Sequence, residues 1–243
     1  MHPLTAPTRL VAQVRDALLG DIAEGRLRPG ERIIQDQVAQ LLGVSRQPVQ
    51  QAVLLLRNEG LLRDAPGRGL IVAPIDVDHL RHLYDVRAMM EGLAFRCAAE
   101  RNAACARKLG PALIRDGRAA LESGSVAALI AADMRFHQLI HELSRNPLIA
   151  PLMAAQWAYT QRVMGEVLMR DGTPQEIWAQ HDAMMNAVMD GDGDAAEQLA
   201  REHIRRSAAI VVARLQGEAP ARLAHAANNG TPNSSMPTSS SPT

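Results

Sequence analysis

Several histidines and one aspartate have the residue types and spacing of a metal site. Asp133 and His137 are four residues apart, so in a helix they project from one face toward a shared point. His141 continues the same row. The row from 133 to 141 spans ~12 Å of helix, which is too long for one ion to bind both ends. The spacing therefore predicts a ligand pair of either Asp133 with His137 or His137 with His141, and leaves the choice open.

Two further histidines, His181 and His203, lie in later helical stretches, each among apolar positions. A carboxylate and three imidazoles that converge inside a helical protein suit Zn²⁺, with Ni²⁺, Mn²⁺ or Fe²⁺ as alternatives. Spacing alone favours a simpler interpretation, in which these are unrelated polar residues with ordinary hydrogen bonds, because Asp/His pairs four residues apart are common.

The composition predicts a mostly α-helical protein. Of the 243 residues, 47% are apolar but only 2% are aromatic, so Ala, Leu and Met must fill the core, and these residues favour helices. The two cysteines, Cys97 and Cys105, are too few for a disulfide framework or a cysteine-rich zinc module. Acidic and basic residues balance at 26 each, so no overall positive field indicates a nucleic-acid partner.

The targeting signals of a secreted or membrane protein are not evident. The first residues lack the charged and apolar segments of a signal peptide, and no apolar run reaches ~18 residues. We therefore expect a cytoplasmic protein with no membrane partner. The sequence divides into a domain of short elements punctuated by Gly and Pro at 1–75, an all-helical domain at 76–216, and a disordered tail at 217–243, which is rich in Ser, Pro and Asn.

The N-terminal elements follow the order of a winged helix-turn-helix. A helix ends near Gly25, a second covers 35–42, and a third covers 46–59 with Ser45 as its expected N-cap. Short apolar runs at 61–63 and 70–72 then predict a β-hairpin with a glycine-rich tip. Helix, helix, tight turn, helix and hairpin is an arrangement that places a recognition helix in the major groove of DNA.

Three sequence runs carry a specific resemblance: LRPGER at 27–32, QVAQLLGVSRQPV at 37–49 and LRNEGLL at 56–62. They resemble the DNA-binding domain of GntR-family transcriptional regulators. Arg46, in the first turn of the recognition helix, can reach guanine O6 and N7. The expected DNA contacts are Ser45, Arg46, Gln47, Gln50, Gly67 and Arg68, the last two placed at the wing tip by the resemblance.

Two positions depart from the family pattern. Gln50 and Gln51 stand where the family commonly has Arg-Glu, and Asp36 stands where some relatives have Arg. Residues 1–75 hold nine Arg against seven acidic residues, a net charge of +2, which is low for a DNA-binding domain. Either the operator differs from the commonest pattern, or affinity depends on a homodimer that binds a palindromic operator.

The rest of the chain predicts an antiparallel bundle of about six helices, at roughly 76–100, 103–122, 126–144, 147–169, 174–190 and 193–215. The motifs YDVR at 84–87, DMRFH at 133–137, NPL at 146–148 and QHD at 180–182 are similar to the FadR-like branch of the GntR family, which has an FCD-type effector domain. That resemblance implies a metal site of Asp133, His137, His181 and His203, with His141 outside it and Gln180 where Glu is frequent.

Arg87 is the remaining candidate. A buried Arg needs a charged partner, and Glu91, four residues on, could supply one. The resemblance instead implies that Arg87 faces the metal pocket and binds a carboxylate of the effector.

The sequence thus predicts a transcriptional regulator, expected to be a repressor, that senses a small organic acid. A metal-dependent enzyme and a sensor of the metal itself are the alternatives.

Overall fold

The computed structural model describes residues 8–168 and 174–217 of the chain. These residues confirm the predicted mostly α fold, with a small sheet in the N-terminal part. The elements in chain order are α1 (Thr8–Ala23), β1 (Arg32–Ile33), α2 (Gln35–Leu42), α3 (Arg46–Asn58), β2 (Leu62–Asp64), β3 (Leu70–Val72), α4 (Val77–Ser123), α5 (Val126–Leu143), α6 (Ile149–Ala154), α7 (Trp157–Leu168), α8 (Pro174–Asp190) and α9 (Gly193–Leu215).

The N-terminal unit, which we call the head, is a winged helix-turn-helix built from α1 to β3. Gly43 ends α2 in the left-handed region at φ 65°, which lets the chain turn directly into α3. The antiparallel sheet has the order β1-β3-β2, with Asp64 opposite Leu70. Strand β1 was not expected, since two residues are too short to show a pattern. The expected cap was also wrong in one respect, because the Ser45 side chain makes no capping hydrogen bond.

The C-terminal helices form the bundle, in which two predicted helices meet at a kink in α4. Asn102 has non-helical dihedrals (φ −142°, ψ 27°), and its side-chain amide donates to the Leu143 carbonyl at 2.6 Å. The predicted helices 76–100 and 103–122 correspond to the arms on either side. The single helix expected at 147–169 is instead two, because a turn after Ala154 separates α6 from α7.

Helix α8, which carries His181, packs closely against α4. A Cβ atom at Gly110 would lie 2.5 Å from Met185 Sδ, and one at Gly117 would lie 2.0 Å from the Trp178 ring. Both glycines therefore provide space for large side chains of α8. This contact brings His181, one turn after Trp178, into the bundle core beside α5.

Two expectations concern the chain beyond these elements. Apart from Gly217, the predicted tail at 217–243 lies outside the described residues. Within the described part of the chain, no helix is long and apolar enough to cross a membrane.

Candidate metal centre and DNA-binding surface

Three imidazoles from α5, α8 and α9 converge in the bundle core. His137, His181 and His203 are buried, and one ring nitrogen of each lies within 4.8 Å of the others. The His181 and His203 Nε2 atoms are 3.3 Å apart. Asp133 adds a carboxylate, with Oδ1 3.4 Å from His181 Nε2 and Oδ2 4.0 Å from His137 Nε2. The structure thus brings together the four side chains that the sequence suggested, and we call them the four-residue cluster.

Aromatic side chains fix the orientation of the central imidazole. The Phe136 ring stacks on His181 with centroids 4.2 Å apart and an interplanar angle of 14°. Trp178 meets the same imidazole edge-on at 4.7 Å. Because both rings are buried, His181 has little freedom to rotate away from the cluster.

Outer partners orient two of the imidazoles. Gln180 Oε1 lies 2.8 Å from His203 Nδ1, and an amide oxygen only accepts, so Nδ1 donates. The unprotonated Nε2 of His203 then faces the cluster. On the other side, Glu91 Oε2 lies 3.1 Å from His137 Nδ1, which leaves His137 Nε2 facing Asp133.

Burial sets the ionisation of the cluster. It lowers the pKa of His181 well below the ordinary value of 6.5, and the neighbouring His203 lowers that pKa further. Burial likewise lowers the pKa of His203 to about 3. The pKa of Asp133 is raised by burial, against the opposing effect of His137. His181 and His203 are therefore neutral at pH 7, the form in which imidazole binds a cation.

Glu91 connects the cluster to residues around it, a role that the sequence analysis missed. Its Oε2 atom is 3.1 Å from both His137 Nδ1 and His141 Nε2, and its Oε1 is 3.7 Å from Arg87 Nε. Burial acts to raise the pKa of Glu91, but His137 and His141 hold it well below its ordinary value. From the sequence, Glu91 was expected only as a partner of Arg87. Two facing pairs with i,i+4 spacing, Arg87/Glu91 and His137/His141, were the available signal.

A cavity of about 50 Å³ adjoins the cluster. Asp133 and His203 form part of its wall. The other polar lining residues are Tyr84, Arg87 and Ser207. Apolar side chains complete the lining: Met164, Ile177, Ile204, Ile210 and Val211. Arg87 therefore both contacts Glu91 and faces the cavity, so the two interpretations of this residue are compatible.

The expected DNA-contacting residues lie on the surface of the head. Ser45, Arg46, Gln47 and Gln50 are exposed along the start of α3. Gly67 and Arg68 are exposed at the hairpin tip, where Gly67 has φ 93°. Arg32 donates a hydrogen bond to the Arg68 carbonyl, which ties the wing tip to β1.

Asp36 lies beside Arg46, the residue expected to contact a base. The Arg46 Nε atom is 3.4 Å from Asp36 Oδ1, and both side chains are well exposed. Such a pair contributes little to stability. A DNA contact of Arg46, as expected from the sequence, would however have to compete with Asp36 for the guanidinium.

The family models match both units of this structure. The model for the gntR family of bacterial regulatory proteins matches residues 10–72, and the FCD domain model matches residues 82–206, which is 125 of 243 residues. The chain belongs to the GntR family, with an FCD domain. It is thus a DNA-binding transcriptional regulator and not an enzyme, so the enzymatic alternative is set aside.

Relatives of this chain are also named as transcriptional regulators. The chain is 27% identical over 205 residues to the transcriptional repressor RspR of Escherichia coli, covering 82% of this chain and 88% of RspR. It is 29% identical over 199 residues to a probable repressor of the D-xylose utilization operon from Paenarthrobacter nicotinovorans, covering 81% and 86%. The solved structure of E. coli McbR/YncC, 22% identical, has a TM-score of 0.71 over 86% of this chain and 99% of that one. This last likeness concerns the fold.

Proposed function

We propose that this GntR regulator is a repressor whose FCD domain binds a divalent cation and, beside it, a small organic acid that changes its affinity for DNA. The observation that carries the proposal is the four-residue cluster, two of whose members, Asp133 and His203, lie in the wall of a cavity that Arg87 also lines. A protein that binds its operator acts where the chromosome is, so we place it in the cytoplasm.

The four-residue cluster fits a metal ion in geometry and chemistry. Two nitrogens bound tetrahedrally at ~2.0–2.1 Å lie ~3.3 Å apart, which agrees with the His181–His203 distance of 3.3 Å. His137 Nε2 is buried without a hydrogen-bond partner among the described residues. The buried carboxylate of Asp133 would be stabilised by a cation. Zn²⁺ suits this donor set best, with Ni²⁺, Mn²⁺ or Fe²⁺ as alternatives.

The cavity beside the cluster suits an acid rather than the metal alone. A bound cation would attract a carboxylate, and the Arg87 guanidinium would bind a carboxylate oxygen from the opposite side. The apolar remainder of the lining would pack against the carbon skeleton. A sensor of the metal itself would need no such cavity.

A homodimer would place two recognition helices on a palindromic operator. On α4, Val86, Met89 and Leu93 lie three and four residues apart, so they share one face. Their exposed fractions are 54%, 51% and 40%, so together they form an apolar strip on the surface of one helix, a feature typical of contacts between proteins. We assign this face, called the α4 stripe, to the contact between two copies.

Operator binding after metal removal and restoration tests the proposal. The DNA is the fragment upstream of the protein's own gene, and the acids are acetate, lactate and citrate. We expect the protein reloaded with zinc to change its affinity for DNA only when an effective acid is added. A change that follows zinc alone would identify a metal sensor and contradict the role of the acid.

A further inference from the structure

Helix α7 contacts the cluster side of the bundle through its first turns. The Trp157 ring lies 5.7 Å from the Arg87 guanidinium carbon and 5.8 Å from the His141 ring. Further along, Met164 lines the cavity, and Val163 is fully buried between α4 and α9. A structural change around the cluster or in the cavity would therefore act directly on side chains of α7.

The opposite face of α7 is packed against the head. A Cβ atom at Gly165 would lie 1.8 Å from the Ala23 carbonyl oxygen, so the backbone of α7 touches the last turn of α1 and only glycine fits there. Ala158, two turns earlier, is 2% exposed and belongs to the hydrophobic core of the head. Residues seven apart share a helix face, so Ala158 and Gly165 form one contact surface.

The same helix also holds the connection between the two units. The Tyr159 hydroxyl donates to the Asp76 carbonyl at 3.3 Å, and the Tyr159 ring meets His79 edge-on at 4.9 Å. Asp76 is the N-cap of α4 and directly follows the segment that leaves the wing. Both the body of the head and its link to the bundle therefore depend on the position of α7.

We propose that α7 is the element that couples the metal-side cavity to the head, through the contact of Gly165 with Ala23. The proposal rests on the proposed function, because that function supplies the ligands that act on the cavity. Met164 and Gly165 are adjacent in a rigid helix, so a displacement on the cavity side moves the contact with α1. Interior packing transmits such shifts because it cannot deform continuously.

Hydrogen exchange in α1 tests the coupling with zinc as the probe. Deuterium uptake over residues 16–24 is measured by mass spectrometry for the full chain, metal-free and zinc-loaded. In wild type we expect zinc to change the exchange rate there at least twofold. In Gly165→Ala, whose added methyl group separates α7 from Ala23, we expect this zinc effect to be lost at equal zinc content.

Gly20→Ala is the matched control. A Cβ atom at Gly20 would lie 3.8 Å from its nearest neighbour, Glu24 Oε1, so this second glycine-to-alanine change in a helix is accommodated. It should retain the zinc effect. A zinc effect that persists in Gly165→Ala, or zinc-bound wild type with unchanged exchange in α1, would overturn the proposal.

The variant Met164→Phe tests the coupling through α7 independently of metal binding. The phenyl group is bulkier than the methionine side chain that lines the cavity, so it should displace α7 without any metal. This variant also tests the coupling if Gly165→Ala does not fold. We expect faster exchange over residues 16–24 in Met164→Phe. If no variant binds zinc but Met164→Phe shows this change, the metal site is rejected and the coupling stands. Unchanged exchange in Met164→Phe contradicts the coupling.

Discussion

Gln180 accepts a hydrogen bond of 2.8 Å from Nδ1 of His203, and this contact fixes which nitrogen of that imidazole faces the cluster. The two residues lie on neighbouring helices, α8 and α9. The unprotonated Nε2 is thereby held in the form that a metal ion requires, before any metal binds.

Removing the Gln180 amide should weaken zinc binding without abolishing it. For Gln180→Ala we expect a loss of about 10- to 100-fold in zinc affinity, the range typical of outer partners of metal-binding histidines. Gln180→Glu keeps an acceptor oxygen and should retain tight binding. Competition with a chelator measures both. Gln175→Ala, at an exposed position on the same helix, is the control, and equal affinities in Gln180→Ala and Gln175→Ala would exclude the role of Gln180.

Metal-free protein should lose stability as the solution is acidified. The pKa values of His181 and His203 are lowered in the folded state, that of His203 to about 3. Below pH 6.5 the unfolded chain therefore binds protons that the folded chain excludes, and the free energy of unfolding falls as pH falls. Asp133, whose pKa is raised, offsets part of this change. We expect the thermal midpoint of the metal-free protein to decrease from pH 6.5 to pH 4.5.

The variant His203→Gln separates this effect from general acid unfolding. It removes one of the two histidines whose pKa is lowered in the folded state, so its thermal midpoint should depend less steeply on pH over the same interval. An unchanged slope would show that His203 does not set the acid response.

On the head, Arg46 and Asp36 should have opposite effects on DNA binding. Arg46→Ala should cost about 1–3 kcal/mol of operator affinity and relax base preference at one position per half-site. Asp36→Asn should increase affinity, because it frees the guanidinium now 3.4 Å from that carboxylate. Arg68→Ala should weaken binding uniformly and reduce its dependence on salt. Unchanged gel-shift affinity in Arg46→Ala would show that α3 is not the recognition helix.

Local sequence patterns predicted much of this architecture. Gly43 marked the turn between α2 and α3, and the spacing of Asp133 and His137 placed both on one helix face. The motif resemblance then joined His181 and His203 to them. These features depend on residues close together in the chain or on motifs of fixed spacing, so they could be predicted from the sequence alone.

Contacts between distant elements were not accessible in this way. Spacing alone could not choose between Asp133 and His141 as partner of His137, because both lie four residues away. The contact of His141 with Glu91 depends on how α4 packs on α5. Likewise, nothing near Gly165 in the chain indicates that its neighbour is Ala23. The pairing of Asp36 with Arg46 depends on the angle between α2 and α3.

In solution the protein should be a homodimer at micromolar concentration. Met89→Asp places a charge in the centre of the α4 stripe and should shift sedimentation equilibrium toward the monomer. Leu109→Asp, at another exposed leucine of α4 outside the stripe, should leave the dimer intact. A wild-type monomer that still binds operator tightly would contradict the assignment of the α4 stripe.

The central claim is that Asp133, His137, His181 and His203 bind one divalent cation, and metal content tests it most directly. Elemental analysis of zinc-loaded protein should find one ion per chain in wild type and in His82→Ala, an exposed histidine. His181→Ala and His203→Ala should lose most of the metal together with thermal stability, since binding stabilises only the folded chain. His141→Ala, which removes a contact of Glu91 outside the four-residue cluster, should keep one ion at saturating zinc. Equal metal in all five proteins would contradict the site, and loss confined to His141→Ala would show that His137 pairs with His141 instead of Asp133.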